Sequence, residues 1–275
     1  TFMKQPAAAP GARPFGLAGI AWDGCVTNRP GARFGPRAIR EASHMLCDGI
    51  HPFFNTTPDG QLADFGDLPL PNTSLEAMRA AMMPLIAPLI AQQHMVWLGG
   101  DHSITLPLLR AYRAHHGRPL ACLHFDAHCD TWPDDAPDSL NHGTMFYYAA
   151  KQGLVDPARS VQIGLRTTND DVMGFQVLDA RQVHRSSPEQ IAELIRARVG
   201  DNPVYLTFDI DCLDPAYAPG TGTPVPGGLS SHQALEILRA LRGINLVGMD
   251  VVEVSPPYDH AEVTALAASY VAMEM

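Results

Sequence analysis

The chain has 275 residues, 46% of them apolar, with a formal charge of −10 at neutral pH; this disfavours nucleic acid and anionic membrane as partners. Its length allows one large α/β domain or two small ones, and no linker rich in Gly, Ser and Pro separates two halves. No run of about 18 apolar residues offers a membrane span, and five cysteines without paired spacing point to reduced thiols and a cytoplasmic protein.

In chain order, residues 1–15 are rich in Ala and Pro, lack the apolar core of a signal peptide and read as a flexible arm ahead of a single domain, 16–275. Residues 16–22 form a first predicted strand. The glycine-rich, basic loop Asn28 to Pro36 follows, with Pro36 opening a helix over 37–46. The loop matches no phosphate-binding glycine pattern, so its arginines are expected in ion pairs or subunit contacts. After a strand-like piece at 61–65, Asn72-Thr73-Ser74 supplies a cap for a long helix, 75–93, with apolar residues at helical spacing. Met82 and Met83 belong to its core face. Strand 95–98 leads to Gly99-Gly100-Asp101-His102, and Ser103 opens a helix that runs to Gly117.

Beyond the strand at 120–123, the order of strands and helices continues: strands 160–163 and 175–178, helix 187–199, strand 204–208, helix 230–241 and strand 246–252. Alternation of this kind specifies a mainly parallel sheet covered by helices on both faces, a three-layer α/β/α fold. The final helix, 261–275, is apolar throughout and has no stop signal, so the sequence is expected to end inside a helix.

Three of these strands end in potential ligands. Asp126, His128 and Asp130 recur at every second residue after the apolar run Leu120 to Leu123, Asp209 and Asp211 repeat the arrangement after Val204 to Phe208, and His102 follows the third. Alternate residues of a strand project to one side, and ligand sites in parallel sheets lie beyond the carboxyl ends of the strands. A single Asp or His there is ordinarily a cap or a loop hydrogen-bonder. Asp126, His128, Asp130, Asp209 and Asp211 together on one edge would concentrate like charge unless cations offset it, so the pattern is that of a site for more than one divalent ion.

With these clusters in place, the chain resembles the ureohydrolases, the arginase and agmatinase superfamily, along nearly its whole length. The carriers are Gly99-Gly100-Asp101-His102-Ser103, Asp126-Ala127-His128-Cys129-Asp130, Asp209-Ile210-Asp211-Cys212-Leu213-Asp214-Pro215, the loop Ala218 to Pro224, and Asp250-Val251-Val252-Glu253-Val254. Asn141-His142-Gly143-Thr144-Met145-Phe146-Tyr147 and the stretch Val251 to Pro256 are most similar to agmatinases. The resemblance implies two Mn2+ per chain held by His102, Asp126, His128, Asp130, Asp209 and Asp211, and a homo-oligomer, trimer or hexamer. A mostly oxygen-donor set suits manganese, whereas structural zinc usually recruits cysteine.

The implied reaction is hydrolysis of a cationic guanidino compound to urea and an amine, with agmatine giving putrescine. A guanidinium is a poor electrophile, and a metal pair is needed to make water nucleophilic near neutral pH. Glu253 is expected to bind the guanidinium nitrogens, Asp130 to protonate the leaving amine, and His142 to shuttle protons to solvent. Two positions depart from the pattern: Cys129 stands where members carry Thr or Ser, and Trp132, a candidate substrate contact, stands where Tyr or Asn is expected. Strand alternation would turn Cys129 away from the ligands, which leaves oxidation of its thiol as the question. The loop from Pro133 to Asn141 has three acids, Asp134, Asp135 and Asp138, and no base, which suits an ammonium rather than a carboxylate at the far end of the substrate. The alternatives are a sister enzyme acting on 4-guanidinobutyrate or another guanidino acid, a one-zinc deacetylase of the same fold, and a metal-binding protein without turnover.

Overall fold

A computed structural model of the chain describes residues 1–46, 49–133, 140–168 and 170–275. Its strands are β1 (Phe15–Ile20), β2 (Leu62–Asp67), β3 (His94–Gly99), β4 (Ala121–Phe125), β5 (Val161–Ile163), β6 (Gln176–Leu178), β7 (Val204–Asp209) and β8 (Leu246–Val252). They join in one eight-stranded sheet of order β2-β1-β3-β8-β7-β4-β5-β6. Every pairing is parallel.

The helices are α1 (Gly35–Ala42), α2 (Leu75–Ile90), α3 (Thr105–His116), α4 (Met145–Lys151), α5 (Ala180–Arg185), α6 (Pro188–Val199), α7 (Ser231–Ala240) and α8 (Val263–Glu274). Strand alternation divides the core in two. Leu98, Leu123, Phe125, Leu206 and Phe208 pack with residues of α1, α6, α7 and α8. Their neighbours Trp97, Cys122 and Tyr205 face the other way and pack with α2, α3 and α4. β4 and β7 are buried along their whole length, as sheets covered on both faces require. This is the expected three-layer α/β/α architecture.

Local signals explain most boundaries. The Ser74 side chain accepts from Ala77 N at 3.1 Å to start α2, and Ser187 and Ser230 each build a reciprocal capping box, with Gln190 and Gln233. Gly117, with φ of +68°, ends α3 in the left-handed conformation. Two helices were not anticipated. α4 is a seven-residue segment whose preceding Thr144 makes no side-chain cap; burial of Met145 and Phe146 drives it instead. α5 did carry a signal, since Asp179 caps Gln182 N at 2.7 Å.

The amino-terminal stretch, expected to be flexible, starts with a docked turn. Phe2 and Met3 are buried, Phe2 N donates to Asp64 Oδ2 at 2.7 Å and Met3 N to Ser43 Oγ at 2.7 Å. These tertiary partners lie 62 and 40 residues away, so local composition could not reveal them. In the basic loop, Arg33 pairs with buried Asp23 and Arg29 lies over the Tyr258 ring.

The chain crosses from one half of the sheet to the other between β3 and β4, and β7 and β8 then fill the centre. The carboxyl ends of four adjacent strands, β3, β8, β7 and β4, therefore meet at the middle of one edge, where α/β sheets place their sites.

Candidate metal centre and active site

Most candidate ligands come after the strands rather than from their pleat, Asp209 being the last residue of β7. β4 stops at Phe125, so Asp126 to Asp130 form a tight loop, and Asp211 sits in a 3-10 turn, Ile210–Cys212. The expectation that strand alternation aims these side chains is corrected accordingly. One device recurs at three strand ends: an aspartate accepts from the backbone N–H two residues on. Asp101 takes Ser103 N at 3.0 Å, Asp126 takes His128 N at 2.6 Å, and Asp209 takes Asp211 N at 2.9 Å. Each bond curls the chain so that the next ligand turns back over the sheet edge. Asp130 then adopts a φ of +50° and Glu253 one of +64°, left-handed conformations that only the surrounding packing maintains.

These loops bring two groups together, the first buried and the second buried apart from a partly exposed His128. His102 Nδ1 lies 3.1 Å from Asp126 Oδ2, 3.0 Å from Asp130 Oδ2 and 3.2 Å from Asp209 Oδ2. His128 Nδ1 lies 3.2 Å from Asp126 Oδ1 and 3.1 Å from Asp211 Oδ2. Asp126 thus faces both groups, one oxygen to each. His124, which the sequence reading did not single out, is close enough to count as a donor in the first group. Its two nitrogens are committed, however: Nδ1 accepts from Gln162 Nε2 at 3.1 Å, leaving Nε2–H to donate to Asp126 Oδ2 at 2.7 Å. His124 orients a carboxylate.

Without a cation, the charges are badly matched. Burial, then Asp211 and Asp126, push Asp209 well above the usual carboxylate range. Burial opposes protonation of His102, but the Asp126, Asp130 and Asp209 carboxylates outweigh it and raise its pKa well above the ordinary value. His128 is driven up to about 12 in the same way, burial being overcome chiefly by Asp211. His102 Nδ1 is buried with no hydrogen-bond partner among the described residues. An unpartnered imidazole nitrogen ringed by carboxylate oxygens is what a divalent cation satisfies, and the residues fit one in each group.

Beside this cluster stands Glu253. Its Oε1 accepts from His102 N at 2.8 Å and from His142 Nδ1 at 2.9 Å, while its Oε2 is buried and has no partner among the described residues. His142 Nε2 faces Thr27, accepting from its N–H at 3.0 Å and lying 2.7 Å from its Oγ1. Burial disfavours the His142 cation, yet Glu253 outweighs it and lifts the pKa to about 9. Thr27 is a contact the sequence reading missed, because it lies 115 residues from His142. A cleft of about 380 Å³ opens over these groups, lined in part by Thr27, His128, Asp130, Trp132, His142 and Thr223. The Trp132 ring lies 6.2 Å from that of His128. Asp134, Asp135 and Asp138 lie outside the described residues.

The Arginase family model matches residues 13–275. The chain belongs to the arginase family. It is 52% identical over 263 residues to an agmatinase of Chromobacterium violaceum, a match covering 94% of this chain and 81% of that protein. Its fold superimposes on a crystal structure described as a hypothetical agmatinase from Burkholderia thailandensis with TM-score 0.95 and 49% identity, covering 98% and 86% of the two chains. A proclavaminate amidino hydrolase from Streptomyces clavuligerus gives TM-score 0.93 at 39% identity, covering 100% and 94%. Family membership makes this an enzyme of the ureohydrolase type, as the motifs implied.

The two departures from the family pattern have different consequences. Cys129 is fully buried, and burial raises its thiol pKa; its backbone oxygen accepts from Gln162 Nε2 at 2.6 Å, the same amide that holds His124. A protonated, inaccessible thiol is a poor target for oxidants and alkylating reagents. Trp132 instead alters the cleft wall, packing over Gly143, where a Cβ would meet the indole at 3.2 Å.

Proposed function

We propose that the chain is a binuclear manganese ureohydrolase that converts agmatine to putrescine and urea. The observation that carries the reading is the pair of largely buried ligand groups sharing Asp126, set beside a Glu253 whose second oxygen has no partner among the described residues. His102, Asp126, Asp130 and Asp209 would hold one ion, and His128, Asp126 and Asp211 the other. When bound, a divalent pair supplies the positive charge that makes water nucleophilic near neutral pH.

The remaining steps belong to the protein's own groups. Glu253 Oε2 accepts from the substrate guanidinium and holds its central carbon in place, a charge-assisted contact strengthened by burial. Asp130, on the wall of the cleft, takes the proton released from the nucleophile and returns it to the leaving amine. His142, held by Glu253 on one nitrogen and oriented by Thr27 on the other, shuttles protons between the cleft and solvent. Trp132 lies against the substrate chain.

Agmatine is favoured by two independent considerations: the names of the relatives at about half identity, and the sequence from Pro133 to Asn141, which has acids and no base to receive a carboxylate. A ureohydrolase acting on a guanidino acid is the second reading, favoured by the neighbour named for proclavaminate. Urea release measured with manganese on agmatine, arginine and 4-guanidinobutyrate separates them. The expected result is a kcat/KM highest for agmatine, with the preference reduced when Asp134, Asp135 and Asp138 are changed to Asn. Preference for either carboxylate-bearing compound overturns the agmatine assignment and leaves the reaction class intact. We further take the protein to act as a homo-oligomer in the cytoplasm; among the described residues no helix is long and apolar enough to cross a membrane.

A further inference from the structure

A buried chain of hydrogen bonds lies behind His102, on the side away from the cleft. His102 Nε2 is 2.8 Å from Thr207 Oγ1. Thr207 in turn donates its hydroxyl to Asp250 Oδ1, and Asp250 Oδ2 accepts from Tyr205 OH at 2.7 Å and from Thr105 Oγ1 at 2.8 Å. Asp250, Thr207, Tyr205 and Thr105 are all 0% exposed. The sheet itself sets the alignment, since Thr207 on β7 is in register with Asp250 on β8, and Asp250 with Trp97 on β3, the strand that leads to His102. Asp250 belongs to the same sequence motif as Glu253, yet the structure turns it inward, behind the ligands.

The polarity of this chain follows from what each group can do. A carboxylate only accepts, so three hydroxyls converging on Asp250 each commit their hydrogen to it. The lone pairs of Thr207 are then left to accept, which makes Nε2 the nitrogen of His102 that carries a hydrogen. Nδ1 becomes the ligand atom, and it is the nitrogen aimed at Asp126, Asp130 and Asp209 with no hydrogen-bond partner among the described residues. Outer partners of this kind fix the tautomer and ring orientation of a ligating histidine and raise its basicity.

We propose that Asp250 is a positioning residue which, through Thr207, locks the His102 ring so that Nδ1 faces a divalent cation. The inference rests on the metal-dependent reading above, although not on the identity of the substrate. It is tested by titrating metal-free protein with Mn2+, following free Mn2+ by electron paramagnetic resonance, for the natural chain, Thr207→Val, Thr207→Ser and Asp250→Asn. Thermal unfolding of each metal-free protein is recorded in parallel.

Thr207→Val keeps the shape and removes the hydroxyl, so one of the two ions should bind roughly 10- to 100-fold more weakly while the other is unchanged. Asp250→Asn should weaken the same ion, because an amide can reverse the direction of the chain, and Thr207→Ser should restore near-natural binding. Thr207→Val with both affinities unaltered overturns the proposal, as does a Thr207→Ser as weak as the valine variant. If Thr207→Val does not fold, Asp250→Asn carries the comparison. If all three variants lose their fold without metal, Asp250 is a folding residue only and the proposal falls. A natural chain that binds two ions yet releases no urea refutes the reaction assigned above and leaves this comparison standing; one that binds no Mn2+ refutes both.

Discussion

Replacing Glu253 by Gln tests the division of labour between its two oxygens. Oε1 is occupied by two N–H donors, His102 N at 2.8 Å and His142 Nδ1 at 2.9 Å, and a glutamine oxygen can keep both. The amide nitrogen then replaces Oε2, the buried oxygen without a partner among the described residues, and turns a charged acceptor into a neutral donor facing the guanidinium. A hydrogen bond to a charged group is worth about 1.5–3 kcal/mol, which corresponds to roughly a ten- to 150-fold loss of kcat/KM. Part of the loss should fall on KM, since the bound substrate is itself a cation, and part on kcat, since the central carbon is no longer held in place. Metal content, measured by elemental analysis of the purified variant, should stay at the natural value because neither Glu253 oxygen lies in a ligand group. A Glu253→Gln enzyme that retains kcat/KM within about threefold, or one that loses metal, refutes this account.

Metal dependence is expected throughout: chelation should abolish urea release and manganese should restore it better than zinc or magnesium, so full activity in metal-free protein would sink the mechanism. Asp211→Asn should remove far more activity than stability, because an amide oxygen can still accept from Ala127 N, now at 3.0 Å, while the charge facing His128 is gone; a variant that binds two ions normally contradicts the assignment. The His142 contact gives a pH signature in the metal-free protein. Its folded pKa of about 9 lies above the ordinary 6.5, so its contribution is complete below about 6.5 and fades as pH rises through about 9. That difference is worth up to about 3 kcal/mol, an upper bound because the Thr27 N–H favours neutral His142. Urea unfolding of the natural chain and His142→Ala should differ most near pH 6 and converge near pH 10; a gap independent of pH would refute it.

Much of this protein is legible in its sequence because the relevant signals are local. Apolar runs of strand length, serine caps at Ser74, Ser187 and Ser230 and the regular alternation of elements specify a parallel sheet between two helix layers, since each depends on residues within a few positions. The ligand clusters are legible for the same reason: Asp126, His128 and Asp130 lie within five residues, as do Asp209 and Asp211 within three. What the tertiary structure decided is everything that pairs distant segments. Strand order, which brings the ends of β3, β8, β7 and β4 to one place, cannot be read from any one of them. Thr27 at His142, Phe2 docked on Asp64, and Asp250 reaching His102 through Thr207 are joined only when the sheet is assembled. Even the aim of the site residues is of this kind, because the candidate ligand Asp130 and the neighbouring Glu253 hold left-handed backbone conformations that their own side chains do not favour and that only the packed sheet edge around them sustains.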